Sequence, residues 1–168
     1  RRWRVGVSID LEFRMFVSDH QPCGLSQYNQ LVFSPRLQRA KAKVSETLVS
    51  YFKRVVAPRL RDGFGLSRYT CDLAIDPGAL ELDGPIPDDR IVLVELNPFY
   101  ESTGMGLFNY ERDQQTLTTP PCETRIVEAP PPPKALGQML DRDWRSILRG
   151  GEQRRTTDRA WAQLEGCM

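Results

Sequence analysis

The chain has 168 residues, of which 40% are hydrophobic and 27% charged, a composition that suits one globular domain and calls for no exotic class. Its 23 basic and 22 acidic side chains leave a formal net charge of +1, so no global charge argument favours nucleic acid or an anionic membrane. No run reaches the roughly 18 consecutive apolar residues of a bilayer span, and Arg1-Arg2-Trp3-Arg4 lacks the apolar run of a signal peptide, so a cytoplasmic location is the expectation.

Trp3-Arg4-Val5-Gly6-Val7 reads as the edge of a strand with nothing before it, and without an initiator methionine the chain is expected to be cut from something longer. A site assembled between two halves of a larger protein would then be incomplete here. Residues 11–17 alternate Leu11, Phe13, Met15 and Val17 with Glu12, Arg14 and Phe16, the period of a strand with one buried face. Residues 18–22 supply a turn and residues 23–28 a returning strand, which together predict a β-hairpin.

Ser34-Pro35 is a helix start, with Ser as N-cap and Pro where a missing N–H costs nothing. Leu37, Ala40, Val44, Leu48, Tyr51, Phe52 and Val55 then recur at three- and four-residue steps, predicting one amphipathic helix that ends near Pro58. The opposite face carries Arg36, Arg39, Lys43, Glu46 and Lys53, read as solvated rather than as a nucleic-acid patch. Residues 68–75 and 92–98 read as strands joined by the turn-rich connection 76–89, which most simply links antiparallel neighbours.

Gly104 and Gly106 follow, permitting unusual backbone angles. Residues 123–128 read as one more edge strand, and Pro130 to Pro133 as a stiff polyproline spacer, with an SH3-type ligand as the other reading. Residues 134–148 resemble a short helix stopped by Gly150-Gly151, and residues 152–168 a frayed or disordered tail. The expected organisation is a lobe over residues 1–128 and a proline-rich spacer, helix and tail over residues 129–168. The four cysteines, Cys23, Cys71, Cys122 and Cys167, form no Cys-x-x-Cys pair, and His20 is the only histidine, so zinc is not expected.

Val92-Leu93-Val94-Glu95-Leu96-Asn97-Pro98-Phe99 carries the chemistry. On a strand, residues i and i+2 share a face, so Glu95 and Asn97 point together while Val92, Val94 and Leu96 point the other way. Antiparallel pairing brings Asp72 towards Glu95. Two carboxylates and a carboxamide suit a hard cation such as Mg²⁺, which is nucleotide-site chemistry. The plainer alternative places Asp72 and Glu95 on a solvated sheet face and makes Asn97-Pro98 the start of a turn.

Arg1-Arg2-Trp3, Glu12-Phe13-Arg14-x-Phe16-Val17, Gly24-Leu25-Ser26-Gln27, a helix, Cys71-Asp72-Leu73, Glu95-Leu96-Asn97-Pro98-Phe99 and Leu107-Phe108-Asn109-Tyr110, in that order, resemble the cell division cycle protein 123 (D123) family over roughly residues 1–112. The resemblance implies an α+β, ATP-grasp-like antiparallel sheet with a packed helix, as the C-terminal portion of a two-lobed fold that clasps ATP and Mg²⁺. It makes Asp72, Glu95 and Asn97 the Mg²⁺ ligands and Arg14 a phosphate contact, a role that suits a fixed-charge, multi-donor guanidinium. It implies an assembly chaperone for heterotrimeric translation initiation factor 2, acting through the gamma subunit.

The family pattern typically has Asp where this chain has Glu95, one methylene longer, and an ATP-grasp site draws its phosphate-binding lysine and much of its adenine pocket from an upstream portion that this chain is not expected to contain. Two other functions stay open at this stage. One is an ATP-grasp ligase that activates a carboxylate, although no general base is identifiable; the other is an interaction module using the proline run and the helix around Trp144.

Overall fold

Five strands, β1 (Glu12–Ser18), β2 (Gln21–Gln27), β3 (Arg68–Ile75), β4 (Ile91–Pro98) and β5 (Glu123–Arg125), form one sheet in the order β4-β3-β1-β2-β5. The computed structural model describes residues 7–61, 63–100 and 103–132, all but the last two within the compact unit Arg1–Pro130. The β1–β2 hairpin turns through Asp19 and His20, whose φ angles of 48° and 59° give the doubly left-handed turn that matches strand twist. The pairings of β1 with β2 and β3, and of β3 with β4, are antiparallel.

Helix α1 (Pro35–Tyr51) packs on one face of this sheet. Ser34 caps it, its Oγ accepting from the Leu37 amide at 3.3 Å. Leu37, Val44 and Leu48 meet Phe13, Met15, Val17, Tyr69, Cys71 and Leu73 in the main core. Lys43 donates to the Leu82 carbonyl and Arg36 binds Asp10, whereas Arg39, Glu46 and Lys53 are solvated as expected.

Three expectations are corrected. The helix does not stop near Pro58: it widens into a π turn over Phe52–Val56 and continues as α2 (Ala57–Arg61). Pro58 lacks an N–H and its ring collides with the carbonyl four residues back, and a wider turn just before it relieves that collision. The widening also rotates the apolar stripe, so that Val56 rather than Val55 is buried.

Secondly, β1 is buried on both faces, because it is the middle strand and α3 (Gln114–Thr118) with the preceding segment covers the side away from α1. Phe16 packs there with Phe108 and Leu117. Thirdly, β5 is shorter than residues 123–128 and parallel to β2, so the sheet is not wholly antiparallel. The ladder stops because side chains take the next backbone groups: Gln27 Oε1 accepts from the Val127 amide at 3.0 Å and Gln38 Nε2 donates to its carbonyl at 2.7 Å. Pro130 to Pro132 carry neither helix nor strand, and the expectations for Trp3 to Val5, Pro133, the helix at 134–148 and the tail lie outside the described residues.

Asp10 ties the sheet to the helix start. Its carboxylate accepts from Arg36 at 2.7 and 3.0 Å, from the Ser34 hydroxyl at 2.6 Å and from Ser8. The Arg36 guanidinium holds the Asp10 carboxyl far below the usual range, against the opposing effect of burial. Asp10→Ala is therefore expected to lower unfolding free energy by about 2 kcal/mol at pH 7, as measured by urea denaturation. A depressed carboxyl stabilises fully above its unfolded value of ~3.9 and loses that contribution as pH falls. The gap between wild type and Asp10→Ala should accordingly narrow by about 1 kcal/mol at pH 3.

Candidate functional site

The register of β1, β3 and β4 decides which polar side chains meet. Arg14 lies opposite Asp72, Asp72 opposite Glu95, and Thr70 opposite Asn97. Opposed residues share a sheet face. Arg14, Asp72, Glu95 and Asn97 therefore all stand on the face away from α1, alternating with Phe13, Met15, Cys71 and Leu73 of the main core.

The facing expected for the rest of β4 is corrected. Leu93 lies opposite Leu73 and Glu95 opposite Asp72, so the register shifts between Asp72 and Leu73 and Val94 is the extra residue. One inserted residue reverses the alternation. Leu96 does share the helix-side face of Cys71, but Val92, opposite Ala74, stands on the same face as Asp72.

Arg14 and Asp72 form a buried two-point ion pair. Nε donates to Asp72 Oδ1 at 2.8 Å and Nη2 to Oδ2 at 2.6 Å. Nη1 donates to the Gly104 carbonyl at 2.6 Å, and the guanidinium lies 4.9 Å from the centre of the Tyr28 ring. Asp72 is fully buried and Arg14 is 5% exposed, so each stabilises a charge the other would strand. Burial pushes the Asp72 carboxyl up, the Arg14 hydrogen bonds oppose it, and those same bonds push the Arg14 guanidinium up.

Glu95 lies at the open margin, with a side chain 36% exposed and Oε1 3.9 Å from Arg14 Nη2. Asn97 Nδ2 donates to that Oε1 at 2.9 Å. Glu12, two residues before Arg14 on the same face, adds a third carboxylate. Its carboxyl is pushed up first by burial and then by the charges of Asp72 and Glu95.

Residues 103–110 form a strap over this face. Besides the Gly104 carbonyl on Arg14, the Leu107 amide donates to Ser26 Oγ at 2.8 Å, and Ser26 donates onward to the Gln27 carbonyl at 2.8 Å. Phe16 sits edge-on to Phe99 and Phe108 with ring centres 5.6 and 5.5 Å apart, closing one end of the face. Arg125 pins the far side, binding Asp113 at 2.8 and 3.1 Å over the Phe108 ring.

The donor chemistry fits a hard cation: oxygen ligands, one reachable carboxylate, and more negative than positive charge on one sheet face. The arrangement is not a finished metal shell. Both Asp72 oxygens accept from Arg14, Asn97 presents its amide nitrogen to Glu95, and among the described residues no group of three or more Asp, Glu, His or Cys is placed to hold a metal. Sequence reasoning brought forward Arg14, Asp72, Glu95 and Asn97 but missed Glu12, Thr70, Tyr28 and the Gly104 carbonyl. Strand parity could have found Glu12 and Thr70, each two residues from a residue already named.

Fold and site together define an α+β protein whose five-stranded sheet is covered by a helix on one face and carries a carboxylate-rich polar cluster on the other. The sequence profile of the D123 family matches residues 1–140, and the chain belongs to that family. The match runs beyond the expected 1–112. Among similar proteins are two named "translation initiation factor eIF2 assembly protein". The one from Candida albicans is 27% identical over 99 residues, covering 59% of this chain and 25% of the relative. The one from Dictyostelium discoideum is 24% identical over 111 residues, covering 66% and 25%.

The chain thus spans about a quarter of the length of these relatives. The structure of Cdc123 from Schizosaccharomyces pombe superposes with a TM-score of 0.57 at 19% identity, covering 76% of this chain and 44% of that one. A C-terminally truncated form gives the same score and identity. These likenesses speak for the fold. Among the described residues no helix is long and apolar enough to cross a membrane.

Proposed function

We propose that this chain is part of an ATP- and Mg²⁺-binding, ATP-grasp-like chaperone of the cytoplasm that promotes assembly of translation initiation factor eIF2 by way of its gamma subunit. The observation that carries the nucleotide half is the meeting of Arg14, Asp72, Glu95 and Asn97 on one sheet face from three strands. The family membership and the relatives' names support the assembly half. An Mg²⁺ ion held there would supply positive charge to offset that of the ATP phosphates. Glu95 and Asn97 would hold it, beside the Asp72 carboxylate that Arg14 fixes. The two Arg14 N–H groups not taken by Asp72 or Gly104 would serve a phosphate oxygen.

Calorimetric titration of Mg·ATP into the full-length protein tests the nucleotide half. Wild type is expected to bind only with Mg²⁺ present, and Glu95→Gln to bind about tenfold more weakly, a difference of about 1.4 kcal/mol. Wild type that ignores Mg·ATP would end this half of the reading. The assembly half fails if the full-length protein does not co-elute with the isolated gamma subunit in gel filtration.

A further inference from the structure

Thr70 is fully buried, and among the described residues its hydroxyl is the one buried side-chain polar atom without a hydrogen-bond partner. Valine has the same shape and would avoid that desolvation cost, so a stranded hydroxyl here calls for a reason. Thr70 stands two residues before Asp72 on the same strand face. Its cross-strand neighbours are Phe16 on β1 and Asn97 on β4.

Asn97 is the residue whose present hydrogen bond is at odds with the ligand role. Its amide nitrogen donates to Glu95, whereas a cation accepts only the carboxamide oxygen. Turning that oxygen towards a cation shared with Glu95 draws the nitrogen off Glu95. A half-buried amide then needs a new acceptor, and an unused hydroxyl lies directly across the strand pair.

We propose that Thr70 is a positioning residue for Asn97: its hydroxyl accepts from the Asn97 amide when the carboxamide oxygen turns to a divalent cation. The inference rests on the Mg·ATP reading above. It gives the buried hydroxyl a partner in the loaded state and explains why this position holds threonine beside an apolar cluster. Outer partners that orient a ligand are commonly worth about tenfold or more in affinity.

The test uses full-length protein, with Mg²⁺-dependent ATP affinity and the ligand-free thermal midpoint measured together. Thr70→Val is expected to bind Mg·ATP about tenfold more weakly while its ligand-free midpoint holds or rises, and Thr70→Ser to restore wild-type affinity. On an Asn97→Ala background, Thr70→Val should weaken binding no further. Wild-type affinity in Thr70→Val, or an undiminished loss on the Asn97→Ala background, overturns the role given to Thr70. Wild type that fails to bind Mg·ATP overturns the site reading itself.

Discussion

Asp72→Ala is expected to lower unfolding free energy by about 3–5 kcal/mol, the range found when one partner of a buried ion pair is removed. Asp72 is fully buried and both its oxygens accept from Arg14, which is 5% exposed. Without the carboxylate, a guanidinium stays in the interior with the Gly104 carbonyl, the Tyr28 ring and, 3.9 Å away at the exposed margin, Glu95 Oε1, none of which replaces a buried two-point pair. Arg14 is also the tie between β1, β3 and the strap, so its release loosens three elements together. Guanidinium chloride denaturation of wild type and variant measures the loss. A deficit below about 1 kcal/mol would mean that the pair is not what joins these strands. Asp72 variants therefore mix folding with binding, and Glu95, at the open margin, is the cleaner probe of the site.

What the sequence made legible follows from how local each signal is. Alternation over residues 11–17, the Ser34-Pro35 start and the apolar strand around Glu95 are short-range patterns, and each element appears. Asp72 and Glu95 come together because antiparallel neighbours with a long connection leave few other pairings. The α+β class was legible for the same reason, as strands precede and follow a single long helix.

The rest depends on contacts that no local pattern encodes. A register shift at Val94 moves Val92 to the other face, yet Val92-Leu93-Val94 is a continuous apolar run in which nothing local marks the extra residue. Arg14 reads as free to meet a phosphate, while in the fold three of its N–H groups are committed to Asp72 and Gly104. Burial of β1 on both faces comes from Phe108 and Leu117, about a hundred residues downstream. The parallel entry of β5 reflects its place at the sheet edge opposite β4, which no local pattern specifies. In each case a long-range packing choice overrides or completes the local preference.

Gly106→Ala is expected to destabilise by about 3 kcal/mol, because two separate costs fall on one residue. Its φ of 60° is left-handed, where a side chain costs about 1–2 kcal/mol. An added Cβ would also stand 2.2 Å from Ser26 Oγ and 2.7 Å from Ser26 Cβ, an overlap of the kind that costs about 1–3 kcal/mol. Ser26 cannot swing aside cheaply: its hydroxyl accepts from Leu107 and donates to Gln27, and its Cβ is fixed to the β2 backbone. Relief must come from lifting the strap, which breaks the Leu107–Ser26 bond and strains the Gly104–Arg14 bond beside the candidate site. Gly84→Ala isolates the first cost, since Gly84 has a φ of 87° with nothing within 4 Å of an added Cβ. That control should lose only about 1 kcal/mol. Thermal denaturation gives the totals, and hydrogen exchange at the Leu107 amide reports whether the strap has lifted. If Gly106→Ala costs no more than Gly84→Ala and the Leu107 amide stays protected, the strap does not rest on Ser26, and its hold on Arg14 must come from elsewhere.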